Sequence, residues 1–251
     1  MRLALASAVM VFASAASAEV GKDLVAKLAA PAAQSEAGGQ RPGKKAKVGE
    51  EEGRGREHEH RTPRAELPPL VDVIARIPDA IADLRYAAAD NFMKRAVYPA
   101  NARCLLRPAT AEKLARVAAR LRREDGTRLL LYDCYRPHSV QRLMWGVVPI
   151  RGYVAPPKTG SVHNRGAAVD LGLASRDGEP LPMPTDFDEF SRRAWHAYDG
   201  ATPEEKRNRK RLRDAMLAEG FQPIRMEWWH YEDPDERGSP LQDVPFDAAL
   251  P

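Results

Sequence analysis

After its first twenty positions the 251-residue chain has no run of 18 consecutive apolar residues, so nothing beyond them is long and apolar enough to cross a bilayer as a helix. Cysteine is scarce. Cys104 and Cys134 stand alone, without a second C-x-x-C or a nearby histidine pair, which excludes a cysteine-rich zinc fold. Charge of one sign is also lacking: 39 Lys plus Arg face 35 Asp plus Glu, and much of the excess is interleaved with acid. A formal charge of +4 therefore gives no electrostatic footprint for a nucleic-acid partner, and none is expected. No internal repeat and no βαβ rhythm appears. What is there is an apolar fraction of 43%, enough to fill a core, and strands and helices that mix in the α+β manner.

Residues 1–18 read as a cleaved secretory signal: Arg2, the apolar run Leu3 to Ala13, then Ala16-Ser17-Ala18 before Glu19. Export to a periplasm or cell-wall space is the expectation. From 19 to 66 Ala, Gly, Gln, Lys, Glu and Pro dominate, and Glu50 to Glu57 offers almost nothing to bury. This segment is expected to be a flexible linker. His58 and His60 alternate there with glutamates, but an unstructured stretch cannot hold a tetrahedral site.

The ordered body, 67–251, begins with Val71, Val73 and Ile74 as a short strand and Ile81 to Tyr86 as a second element. Thr110 can cap a helix whose Leu114, Val117, Ala118 and Leu121 form one buried stripe. Asp125-Gly126 supplies a turn, and Arg128 to Tyr132 reads as a buried strand. Thr202-Pro203-Glu204-Glu205 is a capping box, and its helix runs to Gly220, which suits the left-handed position beyond the helix end. Cys104 and Cys134 are either a disulfide, worth roughly 3 kcal/mol by loop entropy, or two buried thiols.

Four histidines lie in this body: His138, His163, His196 and His230. His138 and His196 lack matching neighbours and read as structural or surface residues. His163 lies in Ser161-Val162-His163-Asn164-Arg165-Gly166-Ala167-Ala168-Val169-Asp170. In an uninterrupted strand His163 and Asp170 would be about 23 Å apart and face opposite sides. Gly166 permits a fold-back between them, and Ala167 to Leu171 reads as a strand that seats Asp170. Glu227 and His230 stand three apart, on one side of a helical turn or a bent strand. Two histidines and an aspartate give three protein ligands and leave the fourth position of a tetrahedral zinc ion for water, with Glu227 spare as a general base. Arg136 leaves the end of the buried strand and can face a negative oxygen, or it can be a structural ion-pair partner of Asp133. Trp228 and Trp229 read as core.

These segments together resemble the VanX-type D-alanyl-D-alanine dipeptidases, a group of zinc metallopeptidases. The likeness rests on S-x-H-x-x-G-x-A-x-D at Ser161 to Asp170, E-W-W-H at Glu227 to His230 and Asp133-Cys134-Tyr135-Arg136-Pro137. Asp83-Leu84-Arg85-Tyr86-Ala87 with Asp90-Asn91-Phe92, and Pro184-Thr185-Asp186-Phe187-Asp188, extend it. The resemblance implies one zinc ion on His163, Asp170 and His230, Glu227 as base and Arg136 as transition-state stabiliser. It also implies Tyr86, Asp133 and Ser161 along the substrate pocket, and a small antiparallel sheet that bears the metal. The substrate so implied is a small D-amino-acid dipeptide, split into two D-alanines. A peptidoglycan carboxypeptidase or endopeptidase, and a non-catalytic zinc-holding module that binds peptidoglycan, are the alternatives.

Overall fold

The computed structural model describes residues 69–246. The segments read as signal and linker lie outside the described residues. Two sheets and four α-helices form one α+β domain among them. Strand β1 (Val71–Asp72) gives way at once to helix α1 (Val73–Arg76), because the Asp72 side chain accepts from the Ile74 amide at 2.9 Å and caps the turn. The strand expected to reach Ile74 is thus a strand of two residues followed by a helix. Strand β2 (Ile81–Ala82) leads to a 3-10 turn at Arg85–Ala87.

Strand β3 (Leu105–Leu106) pairs with β1 in a two-stranded antiparallel sheet. Helix α2 (Pro108–Asp125) starts with proline in its first turn and Arg107 as N-cap. Thr110, expected as the cap, lies buried inside the helix and donates its hydroxyl to Asp233 at 2.9 Å. Proline needs no amide partner at a helix start and fixes the boundary two residues earlier. The stripe Leu114, Val117, Ala118 and Leu121 is buried as its spacing required, and Gly126 ends the helix at φ +81°.

Strand β4 (Arg128–Asp133), helix α3 (His138–Val147) and strand β5 (Ala168–Ala174) follow. Helix α4 (Pro203–Ala218) carries the expected capping box at Thr202 and Glu205, and Gly220 lies just beyond it at φ +85°. Strands β6 (Gln222–Pro223) and β7 (His230–Glu232) complete the second sheet, in the order β2-β4-β5-β7-β6. All its pairings are antiparallel except β2 with β4.

Every residue of β5 is buried, which is why its sequence is apolar apart from Asp170. Its register sets that residue opposite Asp133 on β4 and opposite His230 on β7. Cys104 and Cys134 form a disulfide, with Cα atoms 5.1 Å apart, that ties the start of β3 to the end of β4. This decides between the bridge and the paired thiols.

Candidate active site

His163 sits in a 3-10 turn, Val162–Arg165, that Ser161 opens and Gly166 closes. The Ser161 hydroxyl accepts from the His163 amide at 3.2 Å, and the Asn164 side chain accepts from the Ser161 amide at 2.7 Å. Gly166 has φ +67°, and a Cβ there would come within 2.6 Å of the Leu70 side chain. The chain reverses at that point and places His163 beside Asp170. Glu227 begins a turn in which the His230 amide donates to the Glu227 carbonyl at 3.4 Å, and the turn runs directly into β7.

Three side chains from separate segments converge here. His230 Nδ1 lies 2.9 Å from Asp170 Oδ1 and 3.1 Å from His163 Nε2, and His163 Nε2 lies 3.3 Å from Asp170 Oδ1. Zinc ligand bonds of about 2.0–2.1 Å place neighbouring corners of a tetrahedron about 3.4 Å apart, so the three atoms fit one face of such a site. Each imidazole is oriented from behind. His163 Nδ1 donates to the Cys134 carbonyl at 2.6 Å, and His230 Nε2 faces Glu232 Oε1 at 3.3 Å. These contacts turn Nε2 of His163 and Nδ1 of His230 towards the shared point, as the partners behind metal-ligating histidines do.

The electrostatics follow from crowding in a buried place. Burial alone would raise Asp170, but His163 and His230 hold it well below the usual carboxylate range. Burial pulls His230 down; its hydrogen bonds to Asp170 and Glu232 and the charges of Asp170 and Glu227 outweigh this and lift it to about 10. Glu227 is only 6% exposed, and burial pushes it up to about 8. Its carboxylate makes no hydrogen bond among the described residues and lines the same cavity as the triad.

That cavity holds about 190 Å³, below the roughly 300–1,000 Å³ of sites for drug-sized ligands. Tyr86, Phe92, Tyr153, Phe190 and Trp229 supply aromatic walls, and Ser161 and Arg136 reach it. Arg136 donates through Nε at 3.0 Å and Nη2 at 2.7 Å to Asp133 Oδ2, and through Nη1 at 2.9 Å to Gln141. A guanidinium has five N–H donors, so one on Nη1 and one on Nη2 remain. Arg136 is therefore both readings at once: an ion-pair partner of Asp133 and a cation at the cavity wall.

Asp133 itself requires a correction. It is fully buried behind Arg136, where it also accepts from the Tyr98 hydroxyl at 2.7 Å and the Cys134 amide at 2.9 Å. With those partners its carboxylate is spent on the protein and does not line the cavity. Trp228 is core, its indole donating to Thr185 at 2.9 Å, while Trp229 is cavity wall. His138 contacts the Pro157 carbonyl at 2.8 Å, away from the triad.

Sequence reasoning missed two residues. Asp188 lines the cavity, accepts from the Tyr86 hydroxyl at 3.1 Å and the Phe92 amide at 3.3 Å, and is raised to about 7 by burial. It lies in the segment Pro184 to Asp188, whose likeness to the family carried no role. Gln141 steadies Arg136 and donates to the Ala155 carbonyl at 2.8 Å; it had no signal at all.

Residues 68–249 match the family model described as D-ala-D-ala dipeptidase. The chain is similar to the D-alanyl-D-alanine dipeptidase of Escherichia coli strain K12, 38% identical over 172 residues that cover 68% of this chain and 88% of that protein. It is similar also to the D-alanyl-D-alanine dipeptidases of Enterococcus faecium, 36% identical over 61% of this chain and 86% of the relative, and of Enterococcus faecalis strain V583, 35% identical over 67% and 91%. With two thirds of its length aligned to such proteins and the matched region enclosing the whole site, the chain belongs to the D-Ala-D-Ala dipeptidase family.

Proposed function

We propose that the chain hydrolyses D-alanyl-D-alanine to two D-alanines with one zinc ion held by His163, Asp170 and His230. The observation that carries this reading is the convergence of those three ligand atoms, at 2.9 to 3.3 Å from one another, beside the unpaired carboxylate of Glu227 in one small cavity. Zinc bound there would act as a Lewis acid and make water acidic near neutral pH.

The chain's own groups do the rest. Asp188, half-buried beside the buried Tyr86, is placed to pair with the ammonium of the dipeptide, whose charge would favour its ionised form. Arg136, locked by Asp133 and Gln141, keeps two N–H groups for the oxygen that becomes negative as water adds to the carbonyl carbon. Glu227 takes the proton from that water as the C–O bond forms, and returns it to the nitrogen as the C–N bond breaks.

The test is Glu227→Gln. Zinc content should stay at the parent level while turnover of D-Ala-D-Ala falls about 10²- to 10⁴-fold. Turnover near the parent level would remove Glu227 from the reaction. Loss of the metal in that variant would mean that Glu227 is a ligand instead. The proposal includes export: the apolar leader, its Ala16-Ser17-Ala18 end and the Cys104–Cys134 disulfide support an oxidising compartment.

A further inference from the structure

Between the 3-10 turn at Arg85–Ala87 and strand β3, residues 88–104 contain neither helix nor strand. A connection of that length has to satisfy its backbone groups by other means, and such loops are commonly functional. Its base is closed by the Tyr86 carbonyl, which accepts from the amides of Val97 and Tyr98 at 2.9 Å each. Its interior is filled by Asn91, a polar side chain only 3% exposed. Asn91 Nδ2 lies 3.0 Å from the Arg85 carbonyl, 2.8 Å from that of Ala88 and 3.1 Å from that of Arg95, while Oδ1 accepts from the Met93 amide at 2.8 Å. The two N–H groups of the side chain are thus shared among three acceptors. The Ala88 and Arg95 carbonyls have no other donor among the described residues. One side chain therefore sets the course of the backbone on both sides of itself.

What this loop presents to the cavity is the support of Asp188. Tyr86 donates its hydroxyl to Asp188 Oδ1 at 3.1 Å, and Phe92, next to Asn91 in the chain, donates its amide to Oδ2 at 3.3 Å. Each carboxylate oxygen has one donor, and both donors come from the segment that Asn91 organises. Together they fix the plane of the carboxylate, and about two of its four acceptor sites stay free for a ligand. Asn91 itself does not line the cavity.

We propose that Asn91 is a positioning residue for recognition of the substrate's free amine, acting through the Phe92 amide and the Tyr86 hydroxyl to hold the Asp188 carboxylate in the orientation that meets an ammonium. The inference rests on the reading of Asp188 as the ammonium's partner and adds where that orientation comes from. The attraction between the two charges survives rotation of the carboxylate, whereas the directional part, the hydrogen bond, does not. Loss of Asn91 should thus weaken amine recognition less than loss of Asp188 does, and through the same group.

A double-mutant cycle on the zinc-loaded full chain tests it, with D-Ala-D-Ala as substrate and steady-state kinetics as the readout. Asn91→Ala should raise KM about five- to ten-fold and change kcat by less than about two-fold. Asp188→Gly should raise KM more; Asp188 stands at φ +61°, a conformation that glycine enters freely, so this variant removes the carboxylate without straining the backbone. Adding Asn91→Ala to Asp188→Gly should then move KM by less than about two-fold, because the group through which Asn91 acts is gone. Asn91→Ser, which keeps one hydroxyl in the loop, carries the same cycle should the alanine variant not fold. Effects of Asn91→Ala and Asp188→Gly that multiply in full would make Asn91 a structural residue alone. Unchanged KM in Asn91→Ala, or a fall in kcat at constant KM, would likewise overturn the proposal. Absence of dipeptide turnover in the parent chain would strike the hydrolytic reading, and this one with it.

Discussion

Asp188 and Tyr86 face the cavity together, and only the carboxylate can match a dipeptide's ammonium. Asp188→Asn should therefore raise KM by about 10- to 100-fold and change kcat far less, a split that steady-state kinetics reads directly. A kcat loss at constant KM would place Asp188 in the chemistry instead. The metal-free protein carries a second signature. Glu227 at about 8 and His230 at about 10 both lie above their ordinary values, 4.5 and 6.5, so the native state binds more protons than the unfolded chain. Each contribution to stability is complete below the ordinary value and lost as pH rises through the raised one, so chelator-treated protein should melt at progressively lower temperature from pH 4.5 towards 10. A flat or rising profile would contradict it. The three candidate ligands and Glu227 were legible because histidine is rare in this chain and each stands in a distinctive segment. Asp188 was not, being one among 35 acidic residues, and nothing in sequence tells a wall carboxylate from a structural one such as Asp133.

The elements that carry these groups are short and held from outside. Cys134 lends its carbonyl to His163, and its own sulfur is tied to Cys104. Replacing both cysteines by serine should lower stability by about 3 kcal/mol through the freed unfolded chain, and should also weaken zinc binding, because the group that aligns His163 loses its tether. Thermal melting and competition with a chelator separate the two effects, and unchanged zinc affinity would confine the bridge to a purely structural role. Helix α2 and the capping box of α4 were readable because helix ends obey local chemistry. Val73 and Ile74 misled, since β-branched residues favour strands, yet Asp72 caps a helical turn there. The choice between a disulfide and two thiols, likewise, depends on where distant segments meet, which a linear pattern does not contain.

At the scale of the whole domain, the sheet order β2-β4-β5-β7-β6 brings together positions 133, 170 and 230, and no local signal announces it. The α+β class was readable from the mixture of elements, whereas the parallel β2-β4 pair was not. The space beside that arrangement bears on what fits it best. A cavity of about 190 Å³ suits two small residues with both ends free. Turnover of D-Ala-D-Ala should exceed that of a peptidoglycan stem peptide by at least about 100-fold, and chelation should abolish it. The reverse preference in a product assay would make the enzyme a trimmer of wall peptides. Because Asp170 meets its partners through the two-residue alternation of β5, inserting or deleting a single residue between Gly166 and Asp170 would turn the carboxylate to the opposite side. Length variation among natural or engineered versions of this chain should accordingly gather in exposed turns such as 176–180 and spare both that stretch and the segment around Asp188.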